Sequence, residues 1–287
     1  MNAILRRLMK PHIWRRIFVE RLAEPIHLNL LSIPVALFGS FRTKVDFDLC
    51  VRHHSAYGLL RAADLARQEG INRITALEFG VANGAGLANL ADLASKVTLE
   101  TGVKIDIFGF DTGKGLPPPI DFRDHPEGYF TGDYPMTDRD ALMSRLEGRA
   151  KIIFGEVSET VPQFLKTCPS PIGFVLLDLD YYSSTLDALN VFSSSNPENY
   201  LYWVTIYADD VQWETHNPSC GQMLAMRDFT ASHPLRVIHP YTMLRPMRIF
   251  QRARWIDQMY ACHILDHPRR QVDTAKIKAP AILSNPF

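Results

Sequence analysis

ALEFGVANGAGLANL, residues 76–90, decides how the chain is read. Its first residues are apolar and strand-like. Glu78 interrupts them, glycines follow at 80, 84 and 86, and Leu87, Leu90 and Ala91 then recur at helical spacing. A strand that runs through a glycine-rich turn into a helix is the setting in which backbone approaches a nucleotide. The glycine spacing does not fit the dinucleotide pattern G-x-G-x-x-G. Glu78, two residues before the first glycine, would repel a pyrophosphate. It suits a ligand that carries a cationic amine or a sulfonium.

Outward from this stretch, strand-like and helix-like segments alternate. HSAYGLLRAADLARQ (54–68) reads as a helix, ITALEFG (74–80) as a strand, GLANLADLASKV (86–97) as a helix and KIDIFGFD (104–111) as a strand. KIIFGE (151–156), IGFVLLDLD (172–180) and YLYWVTIYADD (200–210) read as further strands, separated by the helical SETVPQFLK and STLDALNVF. GQMLAMRDFTAS (221–232) is helical, and LRVIHPY (235–241) and QMYACHIL (258–265) close the series as strands. Alternation with continuous apolar strands predicts an α/β fold, a doubly wound, mostly parallel seven-stranded sheet with helices on both faces. The last two strands lack a helix between them and are expected to form an antiparallel edge hairpin. The expected organisation is an N-terminal helical extension over 1–53, a Rossmann-like domain over 54–267 and a tail over 268–287.

The bulk numbers bound the function. Apolar residues make up 46% of the 287 and charged residues 22%, ordinary values for a globular chain with a core. Lys plus Arg equals Asp plus Glu at 31 each, which argues against a nucleic-acid binder. Cys50, Cys168, Cys220 and Cys262 form no CxxC pair, so a zinc site or disulfide scaffold is not expected, and a reducing cytoplasm fits. Residues 1–22 carry Arg6, Arg7, Lys10, Arg15, Arg16 and Arg21 against Glu20, interleaved with apolar residues at helical spacing. That pattern suits a helix packed on its own domain or on a second subunit in a homodimer, or one lying on the inner face of a membrane. LNLLSIPVALFG (28–39) is too short to span a bilayer.

In open sheets of this kind ligands bind beyond the carboxyl ends of the strands. The acids expected there are Glu78, Asp111, Glu156, Asp178, Asp180, Asp209 and Asp210. An acid at the end of the second strand accepts hydrogen bonds from ribose hydroxyls. A glycine turn with Glu78 and Asp111 therefore points to a nucleoside without phosphates, and S-adenosylmethionine fits.

The chain resembles class I S-adenosylmethionine-dependent methyltransferases and, more narrowly, the macrocin O-methyltransferase family, which methylates sugar hydroxyls. EFGVANGAG, GFDTGKGLPPP and LLDLDYYSSTLDAL followed by YADD carry the resemblance, over roughly residues 54–265. It implies that Glu78, Gly80, Asn83, Gly84 and Gly86 line the methionine part of the cofactor, that Asp111 holds the ribose, and that Glu156 or Val157 lies near the adenine. It implies a divalent cation on Asp178, Asp209 and Asp210, with Asp180 close to the cofactor. Two stretches depart from the family's pattern. SSSNPEN (193–199) replaces a short Pro-Gly-Gly loop, and Gly113 and Lys114 stand where relatives often carry an aromatic residue and an acid.

The residues themselves support this chemistry. Three aspartates offer hard oxygens without sulfur or imidazole, which favours Mg²⁺ over zinc. Adjacent Asp209 and Asp210 can serve one ion only if the strand has ended before them. Candidates for the general base are Asp178 and His216, and His125 and Tyr129 lie in a polar 112–135 stretch that reads as a lid. Tyr181, Tyr182, Trp203 and Trp213 are candidates for stacking on an acceptor ring. The expected acceptor is a small molecule with a hydroxyl, such as a sugar. Two alternatives stand beside this reading. One is a metal-dependent glycosyltransferase with Asp178-Leu179-Asp180 as a DxD motif, and the other is a non-catalytic binding protein of the same fold.

Overall fold

The computed structural model describes residues 11–212 and 216–271. The stretches outside them include residues 1–10 of the basic N-terminal segment, Trp213, and the tail beyond 271. Seven strands form one sheet in the order β3-β2-β1-β4-β5-β7-β6. They are β1 Arg73–Phe79, β2 Lys104–Asp111, β3 Lys151–Phe154, β4 Ile172–Leu177, β5 Tyr200–Ala208, β6 Arg236–Pro240 and β7 Met259–Ile264. β1 pairs parallel with β2 and β4, β2 with β3, and β4 with β5. β7 runs antiparallel between β5 and β6, so the expected C-terminal hairpin is present, with β6 at the edge.

The helices are α1 Pro11–Arg15, α2 Ile26–Phe38, α3 Phe41–Asp46, α4 His53–Gln68, α5 Ala85–Thr101, α6 Arg139–Leu146, α7 Val157–Leu165, α8 Tyr182–Leu189, α9 Gly221–Ser232 and α10 Leu244–Met247. Period-two alternation in β1 divides its side chains between two cores. Ile74 and Ala76 pack with Leu59 of α4 and with Leu87 and Leu90 of α5. Leu77 and Phe79 pack on the other face with Val161 of α7, Leu189 of α8 and Phe229 of α9. This two-sided burial is why the strands read as continuous apolar runs. Each fully buried Phe or Leu contributes roughly 1.5–3 kcal/mol.

The N-terminal helices join the domain through a buried polar knot. Arg248 donates to Asp48 Oδ1 at 2.7 Å, Trp255 Nε1 to Asp48 Oδ2 at 3.2 Å, and Arg21 to the Asp48 carbonyl at 2.9 Å. Burial pushes the Asp48 carboxyl upward, and the two arginines oppose it. Beyond this knot, Phe18, Leu22, Ile26, Leu30 and Phe38 stay exposed. Among the described residues no helix is long and apolar enough to cross a membrane.

Candidate active site

The carboxyl ends of β1, β2, β4 and β5 open into a cavity of about 490 Å³. Its wall includes the 80–86 turn, Asp111, Glu156, Val157, Asp178, Asp180, Asp209 and Asp210. A cleft of about 510 Å³ lies at the other end of the strands, around Arg73, Asp106 and Lys151, away from the strand-end acids.

The turn is tight because two strands converge on it. Gly80 has φ +84, and a Cβ there would stand 1.7 Å from the Asp178 carbonyl oxygen. The Gly80 N–H donates to the Phe110 carbonyl, and the Asp178 N–H to the Phe79 carbonyl, which extends the ladder past the strand ends. Gly86, in the first turn of α5, leaves room for Glu78, since a Cβ there would lie 1.9 Å from Glu78 Oε1. Glu78 is 1% exposed and its Oε2 has no hydrogen-bond partner. Burial drives its carboxyl well above the usual range, with Asp178 and Asp111 adding to the rise and Arg52 opposing it. A buried carboxylate without a donor is an unsatisfied acceptor, a cost that a cationic donor would relieve.

Asp111 has a structural role that sequence reading did not anticipate. Its Oδ2 accepts from the Val81 and Ala82 N–H groups at 2.8 Å each, and its Oδ1 from the Gly113 N–H at 2.5 Å. It braces the glycine turn, and the carboxylate keeps acceptor capacity for a further donor. Asn83 is exposed at the rim, where its Oδ1 accepts from the Thr137 N–H and hydroxyl at 2.9 Å. Glu156 precedes α7 and caps nothing with its side chain.

The aspartates meet as the local backbone requires. β5 ends at Ala208, and Asp209–Val211 forms a 3-10 turn, so Asp209 and Asp210 leave the alternation of the strand. Carboxylate oxygens of Asp178, Asp209 and Asp210 all lie within 4.8 Å of one another. Asp209 is held by the Tyr207 hydroxyl on Oδ1 and by Gln258 Nε2 on its carbonyl, both at 2.7 Å. Asp210 Oδ2 accepts from the Asp180 N–H and from Gln222 Nε2, each at 3.0 Å, while the Asp210 N–H donates to Gln222 Oε1 at 3.1 Å. Burial, then the Asp209 and Asp180 charges, push Asp178 up to about 7. Burial and the neighbouring aspartates also raise Asp210 well above the usual carboxylate range. Asp180 takes a left-handed φ of +59 and lines the cavity beside the trio, its N–H donating to Asp210.

The 112–135 stretch is seated rather than loose at its centre. Asp124 is buried and accepts from the Ser183 N–H at 2.8 Å and the Ser183 hydroxyl at 3.0 Å. His125 is 2% exposed, with its ring against Gly221. His216 lies 4.9 Å from that ring, centroid to centroid, and 3.5 Å from the Tyr129 hydroxyl. Burial, then His125, lower it to about 4. It is not among the cavity's lining residues, and its link to the cluster runs through Tyr129. Of the candidate stacking rings, Tyr181 is fully buried and Trp203 packs on Tyr241 and His263. Both serve the core. Tyr182 donates to Asp228 at 3.2 Å.

Sequence reading missed Gln222, Arg52, Tyr134 and Asp187, of which the last three line the cavity. Arg52, Tyr134 and Gln222 belong to no quoted motif, and Asp187 sits within LLDLDYYSSTLDAL without being singled out by it. Their common signal is position just before or within the first turns of a helix, or in the polar loop, and that alone singles out no residue.

No protein-family model matches the chain, and no curated protein matches it. Several solved structures are similar. The calicheamicin methyltransferase CalS11 aligns at 20% identity over 91% of each chain, with a TM-score of 0.47. An O-methyltransferase from Bacillus cereus in complex with SAH aligns at 12% identity over 88% of this chain and 96% of that one, with a TM-score of 0.39. TomG, an O-methyltransferase from Streptomyces achromogenes in complex with SAM, aligns at 12% identity over 92% and 99%, with a TM-score of 0.36. The functional reading rests on the site itself.

Proposed function

We propose that this chain is an S-adenosylmethionine-dependent O-methyltransferase, assisted by a divalent metal such as Mg²⁺, that acts on a hydroxyl of a small, sugar-like acceptor. One observation carries the reading: a single cavity joins an unpartnered buried Glu78, a glycine turn with no room for side chains, and a compact aspartate trio. The residues fit both groups. Glu78 would take the ammonium, the 80–86 backbone would lie against the nucleoside, and Asp111 has acceptor capacity left for a ribose hydroxyl. Asp178, Asp209 and Asp210 supply hard oxygens close enough to share one ion. The group of carboxylates that approach within 4.8 Å of one another takes in Asp209 and Asp210 with Asp178 and not Asp180, which supports this trio over a DxD pair.

S-adenosylmethionine would supply an electrophilic methyl on a sulfonium, and the cation would lower the pKa of a hydroxyl beside it. The chain's own contribution is position. Tyr207 and Gln258 fix Asp209, and Gln222 fixes Asp210, so the carboxylates need not reorganise as charge develops. The rise in Asp178 belongs to the trio without a cation; a bound cation would oppose it, and Asp178 would then serve as a ligand that fixes the ion beside the acceptor hydroxyl. Leu116 and Tyr134 bring the polar loop to the wall of the cavity.

The test is transfer of radiolabelled methyl from S-adenosylmethionine to a panel of sugar hydroxyls, with EDTA and with Mg²⁺ restored. EDTA should abolish turnover and Mg²⁺ should recover it. Asp209→Ala should lose transfer while S-adenosylhomocysteine affinity stays within a few-fold. Turnover indifferent to EDTA and to that substitution would remove the metal's role. Binding of a sugar nucleotide without binding of S-adenosylmethionine would favour the glycosyltransferase.

A further inference from the structure

The cavity wall contains nine carboxylates and, among the described residues, one cation, Arg52. Arg52 lies immediately before α4, outside the glycine turn and outside the aspartate trio. An arginine among so many acids would be expected to pair, yet its guanidinium makes no hydrogen bond or ion pair with any described residue, and its backbone carbonyl accepts from the Ala56 N–H. It is close enough to Glu78, Asp178 and Tyr207 to pull all three down in pKa. Its guanidinium therefore faces the end of the cavity that Glu78 and Asp178 share.

That placement answers a charge problem. A methionine-derived ligand carries a carboxylate as well as an ammonium. In a cavity lined by acids, a bare carboxylate would be repelled by like charge. It can enter only beside a cation. We infer that Arg52 and Glu78 together form a clamp for an α-amino acid head group, with the Arg52 fork on the carboxylate and Glu78 on the ammonium. The inference rests on the reading of the site as an S-adenosylmethionine pocket and adds a residue to it. Each partner is now unsatisfied in a complementary way: Glu78 Oε2 is buried without a donor, and Arg52 has no acceptor. A planar guanidinium suits a carboxylate through two parallel hydrogen bonds, which a lysine cannot reproduce.

The clamp separates ligands that differ only at the amino acid end. Calorimetric titration of the full-length protein with S-adenosylhomocysteine should show Arg52→Gln weakening binding about 10- to 100-fold, the scale of a charge-assisted hydrogen bond. Arg52→Lys should fall between. 5′-Methylthioadenosine, which lacks the amino acid end, should bind wild type and Arg52→Gln within about twofold of each other. Decarboxylated S-adenosylmethionine keeps the amine and sulfonium, and should lose nothing further in Arg52→Gln. Wild-type affinity for S-adenosylhomocysteine in Arg52→Gln would overturn the inference. So would an equal loss for 5′-methylthioadenosine, which would mean that Arg52 shapes or screens the cavity as a whole. Failure of the wild type to bind S-adenosylhomocysteine at all would instead overturn the parent reading.

Discussion

Gln222 should control the proposed metal site although it offers it no ligand atom. Its side chain is fully buried in the first turn of α9 and holds Asp210 from two directions. The amide nitrogen donates to Asp210 Oδ2 and the amide oxygen accepts from the Asp210 N–H. Gln222→Leu keeps the volume and removes both bonds. The Asp210 N–H then has no acceptor, at about 1–3 kcal/mol for a buried unsatisfied donor. Oδ2 retains the Asp180 N–H, so its loss is nearer about 1 kcal/mol. The expected destabilisation is therefore about 2–4 kcal/mol, read as the change in urea unfolding free energy. The carboxylate also loses the contact that aims it at Asp178 and Asp209. Substituting such an outer partner weakens metal binding by about 10- to 100-fold, read by Mg²⁺ titration in the presence of S-adenosylhomocysteine. Gln222→Glu should bring a further carboxylate to the cluster and destabilise it by like-charge repulsion. Wild-type Mg²⁺ affinity in a folded Gln222→Leu would refute the claim that Asp210 is positioned by this amide.

Two further predictions concern the turn and its surroundings. Gly80→Ala places a Cβ 1.7 Å from a backbone oxygen at φ +84. The left-handed conformation costs about 1–2 kcal/mol and the overlap about 1–3 more, so stability should fall by about 2–5 kcal/mol and S-adenosylhomocysteine binding by more than tenfold. His54, stacked on Tyr207 at 3.8 Å, is pushed from 6.5 down to about 3, first by burial and then by Arg52 and Arg16. A lowered histidine means the unfolded chain binds the extra proton, so its stability contribution is whole above pH 6.5 and is lost as pH falls toward 3. By pH 5 the loss is about 2 kcal/mol. His54→Phe keeps the stack and should be less acid-sensitive by that amount in unfolding free energies at pH 5 and 7. Parallel pH profiles would contradict the assignment.

The sheet was legible because burial is written along the chain. β1 and β4 are covered on both faces, so β4 reads as an unbroken apolar run and β1 as one interrupted only by Thr75 and Glu78, and their flanking helices show a 3.6-residue stripe. The strand reading ran to Asp210, two residues past the end of β5 at Ala208, although the loop-like VQWETHNP that follows left room for an earlier end. The strand-end rule then gathered Glu78, Asp111, Asp178, Asp209 and Asp210 around one cavity. What the sequence hid are the cross-links between elements. Gln222 reaches Asp210 from a helix whose periodicity only reports its buried face. Arg52 precedes its helix like any other charged residue. Ser183 anchors Asp124 across a gap that no motif spans. Periodicity encodes which face is buried. Which side chain reaches over the end of the sheet depends on the lengths of loops and on how far β4 and β5 run before they stop. His216 shows the converse: the loop was located correctly, yet its ring turned to Tyr129 and His125 and away from the cavity.

The most direct measurement is a crystal structure of the protein soaked with S-adenosylhomocysteine and Mn²⁺, with anomalous data to mark the ion. It should show the adenosyl group against residues 80–86 and a single anomalous peak at about 2.1–2.2 Å from oxygens of Asp178, Asp209 and Asp210. An empty cavity at saturating ligand, or an ion bound away from those three carboxylates, would contradict the account.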